Sequence, residues 1–382
     1  MQPAIPPNRL VSVMHVSTAH PAFDIRIYHK QCRSLAKAGY RVGLIVPHEK
    51  DEERAGVRLY ALKKRSNRLA RMIMGDLSAS VRALASNARV FHLHDPELLP
   101  VGLLLKLCGK RVIYDVHEDL PRQVLEKDWI HPRLRSLIAK MIETFENFSA
   151  RCFDAVVAAT PHIAARFASI NSNTVTINNV PSLQEMGDCA YSTEKESAVC
   201  YIGAISLSRG LLEMIGSMES CNATLHLAGI LSPPELLQQI QAAAARGVRV
   251  EYHGVLDREG VIQLLRRCSV GLVCFHRAPN HLLSQPTKLF EYMSSGIPVV
   301  ASNFDYWRGI VEQNHCGICV DPLVPTEIGR AIDHLLSNSS EARQMGINGR
   351  KLVEKCYSWE REEKKLLHLY EQLSSRFVKP VK

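Results

Sequence analysis

Two short clusters of histidine and acidic residues contain groups that could carry out chemistry. The first is His92-Leu-His94-Asp95-Pro-Glu97, and the second is Tyr114-Asp115-Val-His117-Glu118-Asp119. Each cluster follows an apolar run that predicts a buried strand, so both should lie at the same edge of one parallel sheet. Imidazole and carboxylate groups can transfer protons, bind a metal ion or cap a helix. No His-x3-His pair accompanies the clusters, so we do not expect a metal ion.

The segment 286–302 predicts a helix start that binds an anion. It reads Pro286-Thr-Lys-Leu-Phe-Glu-Tyr-Met-Ser-Ser-Gly-Ile-Pro-Val-Val-Ala-Ser302, a polar loop, a short helix and a buried strand. The amides and the dipole at a helix start favour a diphosphate. Glu291, one turn into the helix, could accept hydrogen bonds from both hydroxyls of a ribose. An ordinary surface glutamate on an amphipathic helix is the alternative.

A second glycine-containing turn is predicted at the start of the second half, Tyr201-Ile-Gly-Ala-Ile-Ser-Leu-Ser-Arg-Gly210. Gly203, at a predicted strand end, allows the backbone to approach a ligand closely. Arg209, at the following helix start, would add a forked cation beside it. On these residues alone, a plain strand-to-helix turn is the competing interpretation.

Short apolar runs alternate with helix-like segments along the whole chain. The predicted strands are 10–17, 41–46, 57–62, 90–94, 112–116, 155–159, 175–178, 199–202, 224–227, 248–253, 270–275, 298–301 and 317–320. The predicted helices include 26–38, 234–244, 259–268, 288–294 and a terminal stretch, 340–374. Two successive βαβ series predict an α/β protein with two facing doubly wound, Rossmann-like domains and a ligand in the crevice between them.

The alternation breaks in one polar stretch, which we interpret as a linker at 186–197. It separates an N-terminal domain, 1–185, from a C-terminal domain, 198–355. The last segment, 356–382, is expected to form a C-terminal helix that packs back toward the N-terminal domain.

Composition excludes several classes of protein. The 382 residues are 46% hydrophobic and 22% charged, which is unlike a disordered chain, a coiled coil or a collagen-like fibre. No apolar run reaches the roughly 18 residues needed to span a bilayer. The eleven cysteines have no disulfide-like spacing, and Cys316-x-x-Cys319 lacks a second pair for zinc. We therefore expect a reduced, cytoplasmic protein.

The net charge of +9 lies entirely in the first half, because residues 1–185 contain 26 basic and 17 acidic side chains. A basic half could face nucleic acid, an anionic membrane or an acidic substrate. No recognition motif supports nucleic acid. The segment 63–81 predicts an amphipathic helix whose apolar face, Leu69, Ile73, Leu77 and Val81, packs on the domain. Its basic residues would bind an anionic membrane or, as the alternative, only be solvated. They are Lys63, Lys64, Arg65, Arg68 and Arg71.

The segment 286–302 resembles the nucleotide-sugar motif of GT-B glycosyltransferases, specifically the large retaining family 4, the group 1 glycosyl transferases. The resemblance extends over nearly the whole chain. It implies that Glu291 holds the nucleotide ribose and that Lys288 and the amides around Thr287 contact the donor phosphates. It also implies that Gly203 and Arg209 bind the pyrophosphate, because the family has a glycine followed six residues later by a basic residue.

The same resemblance assigns roles in the first half. A histidine at the position of His117 lies near the reacting sugar, so His117 is the first catalytic candidate and Glu118 the second. The first strand-to-helix loop is where the family contacts its acceptor, which implicates His20, Asp24 and Arg26. For Asp24, an N-cap is the structural alternative.

Two positions depart from the family pattern. Leu283 stands where the family usually has a glutamate that contacts the donor sugar, and Ala204 stands where a basic residue often follows the glycine. The group that reads the donor sugar is therefore left open.

The resemblance implies a retaining glycosyltransferase that moves a sugar from a nucleoside-diphosphate sugar to a hydroxyl of a glycan or lipid-linked acceptor, in cell-surface polysaccharide synthesis. It implies no cofactor and no metal. The cysteine content and the basic segment 63–81, rather than the resemblance, predict a position in the cytoplasm, peripheral on the inner face of the membrane. A nucleotide-sugar epimerase or phosphorylase of the same fold is one alternative. A degenerate transferase that only binds is another, and Leu283 supports it.

Overall fold

The computed structural model describes residues 11–64, 74–125, 130–186 and 195–374. The chain forms two compact units, one of Met1–Asn179 with Arg361–Lys382 and one of Val180–Glu360. The boundary between the units lies just before the stretch that we predicted as a linker, 186–197.

Fourteen strands are found in the described residues: β1 (Ser12–Val16), β2 (Arg41–Pro47), β3 (Glu52–Arg54), β4 (Val57–Leu62), β5 (Val90–Leu93), β6 (Arg111–Val116), β7 (Ala155–Ala158), β8 (Thr174–Thr176), β9 (Ala198–Ile202), β10 (Thr224–Ala228), β11 (Val250–Tyr252), β12 (Val270–Val273), β13 (Val299–Ser302) and β14 (Gly317–Val320). The first eight belong to the first unit and the other six to the second.

The α-helices are α1 (Arg33–Lys37), α2 (Asp76–Ala85), α3 (Leu99–Leu107), α4 (Leu120–Leu125), α5 (Pro132–Cys152), α6 (Pro161–Ala168), α7 (Leu183–Met186), α8 (Leu211–Ser217), α9 (Leu236–Ala245), α10 (Arg258–Arg267), α11 (Pro279–Leu282), α12 (Thr287–Ser294), α13 (Asp305–Val311), α14 (Pro325–Ser337), α15 (Ser339–Cys356) and α16 (Trp359–Ser374). Short 3-10 turns lie at Pro96–Leu98 and Leu207–Arg209, and a π-helix lies at Ile25–Cys32. Within the described residues, no helix combines the length and the apolar character needed to cross a lipid bilayer.

The first sheet has the strand order β3-β4-β2-β1-β5-β6-β7-β8. Its strands pair in parallel except for β3, which runs antiparallel to β4. The winding direction changes between β1 and β5, and the carboxyl ends of strands at such a change form a natural ligand site. The loops that follow β1 and β5 carry His20 and His94.

The second sheet has the order β11-β10-β9-β12-β13-β14, with all neighbours parallel. Here the winding direction changes between β9 and β12, and the turn with Gly203 follows β9. Two parallel sheets joined by helical crossovers confirm the predicted α/β class with Rossmann-like units.

Three local features differ from the sequence predictions. The edge strand β3 was not predicted, because Glu52, Glu53 and Arg54 lack an apolar alternation; a tight turn at Ala55 and Gly56, both with positive φ, returns the chain to β4. The predicted helix 26–38 is a π-helix followed by α1, and the terminal stretch 340–374 is two helices, α15 and α16.

The predicted packing of segment 63–81 is wrong where it can be examined. Leu77 and Val81 are exposed, and the buried residues of α2 are Ala79 and Ala83. The small alanine side chains allow the helix backbone to lie close to the sheet, which leaves the larger side chains outside. Residues 65–73, which include Arg65, Arg68, Leu69, Arg71 and Ile73, lie outside the described residues.

Candidate functional site

In the second unit, α12 carries most of the predicted donor-binding residues, and tight packing fixes its position. The Tyr292 ring lies directly on β12, since a Cβ at Gly271 would come within 2.3 Å of it. The Tyr292 hydroxyl accepts a hydrogen bond of 2.9 Å from the Ile202 amide at the end of β9. The first turn of α12, which begins at Thr287, is thus tied to the turn that follows β9.

Lys288 lies in this first turn with an unusual environment for a cation. Its side chain is buried, and Nζ finds no hydrogen-bond acceptor among the described residues. Instead Nζ lies 3.4 Å from the centroid of the Tyr201 ring. Burial, reinforced by Arg209, holds the pKa of Lys288 well below its usual value, although Glu291 opposes the shift. A buried ammonium without an acceptor is costly and is relieved by an anionic ligand.

Gly203 leaves the space into which this ammonium points. Its φ is +120°, a conformation that side chains rarely adopt, and a Cβ there would lie 3.1 Å from the Lys288 Nζ. Gly229, directly after β10, packs against Gly203, since a Cβ at Gly229 would lie 1.9 Å from the Gly203 carbonyl oxygen. The backbone at Gly203 therefore lies open beside the Lys288 Nζ, where a side chain would crowd it.

Arg209 lies beside this turn and is only half-buried. Its Nη1 donates a hydrogen bond of 3.1 Å to the Ala204 carbonyl, and its guanidinium carbon is 5.5 Å from the Phe275 ring centroid. Gly210, with φ of +79°, follows it and contacts the Cys274 carbonyl, where a Cβ would approach to 2.0 Å. The turn is thereby fixed against the end of β12.

Glu291 is not an isolated surface glutamate. Its Oε1 accepts a hydrogen bond of 2.7 Å from Nη1 of Arg258, whose Nη2 lies 3.3 Å from the Glu185 carboxylate. Arg258 begins α10 behind the N-cap Asp257 and has no motif of its own, so the sequence did not reveal it. Leu283, where the family pattern has a glutamate, is exposed after α11.

In the first unit, the two histidine-acid clusters meet. His117 Nε2 lies 3.2 Å from Asp115 Oδ2 and 3.3 Å from His94 Nδ1. Asp115 is fully buried and accepts hydrogen bonds from Nε and Nη2 of Arg26, at 3.0 and 2.6 Å, and from Gln31 at 2.8 Å. Burial alone would raise the pKa of Asp115, but the Arg26 guanidinium and His117 hold it well below its ordinary value.

The remaining predicted residues divide into those that join this cluster and those that do not. His20 Nδ1 lies 2.9 Å from Asp95 Oδ1, and the His20 and His117 ring centroids are 4.8 Å apart. Burial alone would raise the pKa of Asp95, but the hydrogen bond and charge of His20 outweigh it and lower the pKa to about 2. Glu118 is exposed and accepts a hydrogen bond from Gln123 instead.

Asp24 and Arg26 have structural partners. Asp24 caps the π-helix by accepting hydrogen bonds from the Arg26 and Ile27 amides, at 2.8 and 2.9 Å. The buried Arg26 side chain binds Asp115, and its Nη1 donates a hydrogen bond of 2.7 Å to the Ile177 carbonyl. Arg26, which we expected at the acceptor, therefore positions Asp115 and through it His117.

Behind His94 lies a fully buried group that the sequence did not predict as a unit. His15 Nδ1 is 2.9 Å from His94 Nε2, and the Tyr370 hydroxyl of α16 lies 2.8 Å from His92 and 3.3 Å from His15. Burial lowers the pKa of all three histidines, and Asp115 opposes this shift at His94. His15, His92 and His94 are close enough to bind a metal ion, but they are fully buried and the Tyr370 hydroxyl already contacts His92 and His15.

Two family matches cover most of the chain. Residues 26–180 match the model described as glycosyl transferase 4-like domain, and residues 191–352 match the model described as glycosyl transferases group 1. No curated protein sequence matches the chain.

Several solved structures share the fold. Sucrose-phosphate synthase from Thermosynechococcus elongatus is 18% identical with a TM-score of 0.75, and the match covers 96% of this chain and 99% of that one. HepE of Anabaena, in complex with UDP-glucose, is 14% identical with a TM-score of 0.69, over 95% and 99% of the two chains. An E. coli protein described as trehalose-6-phosphate, bound with UDP-2-fluoro glucose, is 13% identical with a TM-score of 0.68, over 94% and 98%. At such identities the likeness shows a common fold.

Proposed function

The chain belongs to the glycosyltransferases of GT-B fold, and we propose that it transfers a sugar from a nucleoside-diphosphate sugar to a hydroxyl of a glycan or lipid-linked acceptor. The observation that carries the donor assignment is the buried ammonium of Lys288, which points at Gly203 without an acceptor. A diphosphate supplies the negative charge that this ammonium lacks. The structural neighbours bound to UDP-glucose and UDP-2-fluoro glucose make a UDP-sugar the first candidate.

The second unit would hold the donor through three kinds of contact. Lys288, Arg209 and the start of α12 at Thr287 would bind the diphosphate, and Gly203 would allow its close approach. Glu291 would accept hydrogen bonds from the ribose hydroxyls. Because Glu291 is paired with Arg258 in this structure, the ribose would share or replace that ion pair.

The chemistry follows from the charge that develops on the leaving group. The bond from the anomeric carbon to the phosphate oxygen breaks, the acceptor oxygen bonds to that carbon, and the acceptor proton passes to the departing diphosphate. Lys288 and Arg209 would stabilise the growing negative charge. We propose retention by attack from the face that the diphosphate leaves, which needs no carboxylate nucleophile. His117, held by Asp115 and His94, would act on the reacting sugar, and His20 would contact the acceptor.

Nucleotide binding tests this donor assignment. At about 100 times its dissociation constant, UDP should stabilise the protein by about 2.7 kcal/mol. We expect the largest shift in thermal unfolding with UDP, and smaller shifts with GDP and ADP at the same concentration. If none of the three nucleotides changed the unfolding temperature, the proposed donor site would be wrong. Incubation with UDP-sugar alone distinguishes an epimerase, which would convert the donor without an acceptor.

We also propose a peripheral position on the anionic inner face of the membrane, where a lipid-linked acceptor for cell-surface polysaccharide would lie. The support comes from α5, which has five large apolar side chains at helical spacing, each 42–63% exposed. They are Leu134, Leu137, Met141, Phe145 and Phe148. Cations of the same helix are Arg133, Arg135, Lys140 and Arg151. Apolar side chains that enter the interface and cations that attract anionic lipid act together, the latter by about 1 kcal/mol each.

Vesicle co-sedimentation tests this surface. We expect the protein to sediment with vesicles of anionic lipid at low salt, and less with neutral vesicles or at high salt. Replacing Met141 and Phe145 together by Gln should reduce the bound fraction several-fold. Leu107→Gln, at an exposed leucine of α3, is the matched control and should bind as the parent does. Equal binding by the double variant would contradict a role for α5.

A further inference from the structure

A second cluster of possible ligands lies in the second unit, on the edge of its sheet. In the parallel pairing of β10 and β11, His226 is opposite Glu251. Opposed residues project from the same face of a sheet, and so does the residue two positions further on. His253 directly follows β11 and continues that face. The pleat thus brings His226, Glu251 and His253 together.

The three side chains converge on one point. His226 Nδ1 lies 3.0 Å from His253 Nε2 and 3.4 Å from Glu251 Oε2, and the third side of the triangle is 3.9 Å. A triangle with these sides has a centre roughly 2.0 Å from each corner, and Zn²⁺ bonds to imidazole nitrogen and carboxylate oxygen are about 2.0–2.2 Å.

The burial of the three side chains suits a site that is anchored on one side and open on the other. The His226 side chain is 2% exposed, that of His253 is 28% exposed, and that of Glu251 is 58% exposed. A metal ion with bonds of about 2.1 Å would lie just above the plane of the three ligand atoms, with water on its open side. The nearby cation Arg267 does not oppose binding strongly, because Glu196 neutralises it through contacts of 2.8 and 3.1 Å.

The buried histidines of the first unit lack these properties. His15, His92 and His94 are fully buried, with no side open to water, and the Tyr370 hydroxyl already lies 2.8 Å from His92 and 3.3 Å from His15. His226 and His253 also lie at hydrogen-bonding distance from each other, but His253 and Glu251 are partly exposed, so an ion can reach them from solvent. A second set in the first unit, His94, Asp115 and His117, is also close enough to hold an ion, but the charge of Asp115 is already balanced by Arg26.

We propose that His226, Glu251 and His253 form a site for a divalent transition-metal ion of Zn²⁺ type, with water in the remaining position. Two histidines and one carboxylate are a ligand set that such ions prefer. We infer a structural role, because the ion would clamp the edge strand β11 to β10. The effect would extend to the proposed donor turn. The Gly254 carbonyl, just after His253, accepts a hydrogen bond of 2.6 Å from the Gly229 amide, and Gly229 packs against Gly203. We predicted no metal ion from the sequence. This set was not found there because its three residues lie on or directly after two separate strands and do not form a recognisable metal-binding motif.

The test uses the full chain, stripped of metal by a chelator and kept reduced without added thiols. Calorimetric titration with Zn²⁺ should show one site, and thermal unfolding should shift upward with Zn²⁺. His253→Ala should weaken this site by at least about tenfold, which is about 1.4 kcal/mol. Glu251→Gln, a conservative change at an exposed side chain, should weaken it in the same direction. His334→Ala, which removes an exposed histidine paired with Glu341, is the matched control and should bind as the parent does.

Titration with Co²⁺ separates this site from the cysteines. Visible bands of nitrogen and oxygen coordination should form in the parent and be lost in His253→Ala. Thiolate charge-transfer bands in the near ultraviolet would place the ion on cysteines and overturn the proposal. Absence of Zn²⁺ binding to the parent, or equal affinity in the parent and in both ligand variants, would overturn it as well. Because none of these readouts needs a sugar donor, the result is independent of the proposed function.

Discussion

Replacing Lys288 by Met is expected to stabilise the ligand-free protein and, at the same time, to weaken nucleotide binding. The buried ammonium has no hydrogen-bond acceptor among the described residues, so its removal relieves a desolvation cost. The Met side chain would keep the apolar contacts over Tyr201 and Phe275. A lost charge-assisted contact to phosphate costs about 1.5–3 kcal/mol, which corresponds to a roughly 10- to 150-fold weaker affinity for UDP.

The opposite signs make this prediction specific. Thermal unfolding without ligand and calorimetric titration with UDP measure the two effects separately. Lys351→Met, at an exposed lysine of α15, is the control and should change neither by much. A variant that is less stable and binds UDP as the parent does would show that Lys288 has a structural role rather than a role in phosphate binding.

Replacing His117 by Ala is expected to lower turnover by about 10²- to 10³-fold, the loss that follows when one positioned hydrogen-bonding group that stabilises a transition state is removed. UDP affinity should stay near the parent value, because the proposed nucleotide contacts belong to the second unit. The His117 side chain is 18% exposed at the rim of the cluster, so the fold should tolerate its loss. A fall in turnover with unchanged binding indicates an interaction made in the transition state.

The control for this variant is His162→Ala, at an exposed histidine of α6. Steady-state kinetics with UDP-sugar and acceptor, together with UDP titration, should separate the two variants. If His117→Ala turned over at the parent rate, or lost nucleotide binding alone, His117 would not be catalytic and its contacts with Asp115 and His94 would serve the fold.

Much of the fold could be predicted because parallel strands leave a strong signal in sequence. Strands such as β7, with all four residues buried, are continuous apolar runs. The polar edge strand β3 has no such signal. The exposure of Leu77 and Val81 could not be predicted either, because helical spacing shows which residues share a face but not which face is buried.

Short motifs drew attention to residues of the candidate site, whereas the distant residues that contact them left no signal in the sequence. Gly203 and Lys288 come from separate motifs, and the structure brings them together. The two histidine-acid clusters meet because β5 and β6 are neighbours in a parallel sheet. The partners Arg258 and Arg26 were assigned no such role, because ion pairs across 33 and 89 residues have no local pattern.

The contact of Tyr370 with His92 and His15 has a consequence for the order in which the protein folds. β1 and β5 leave the ribosome early, but α16, which supplies the Tyr370 hydroxyl, is translated after the whole second unit. Until then the buried imidazoles at the centre of the first unit lack one of their hydrogen-bond partners. The first unit therefore cannot reach its final packing during its own synthesis, and it is completed only when the end of the chain arrives.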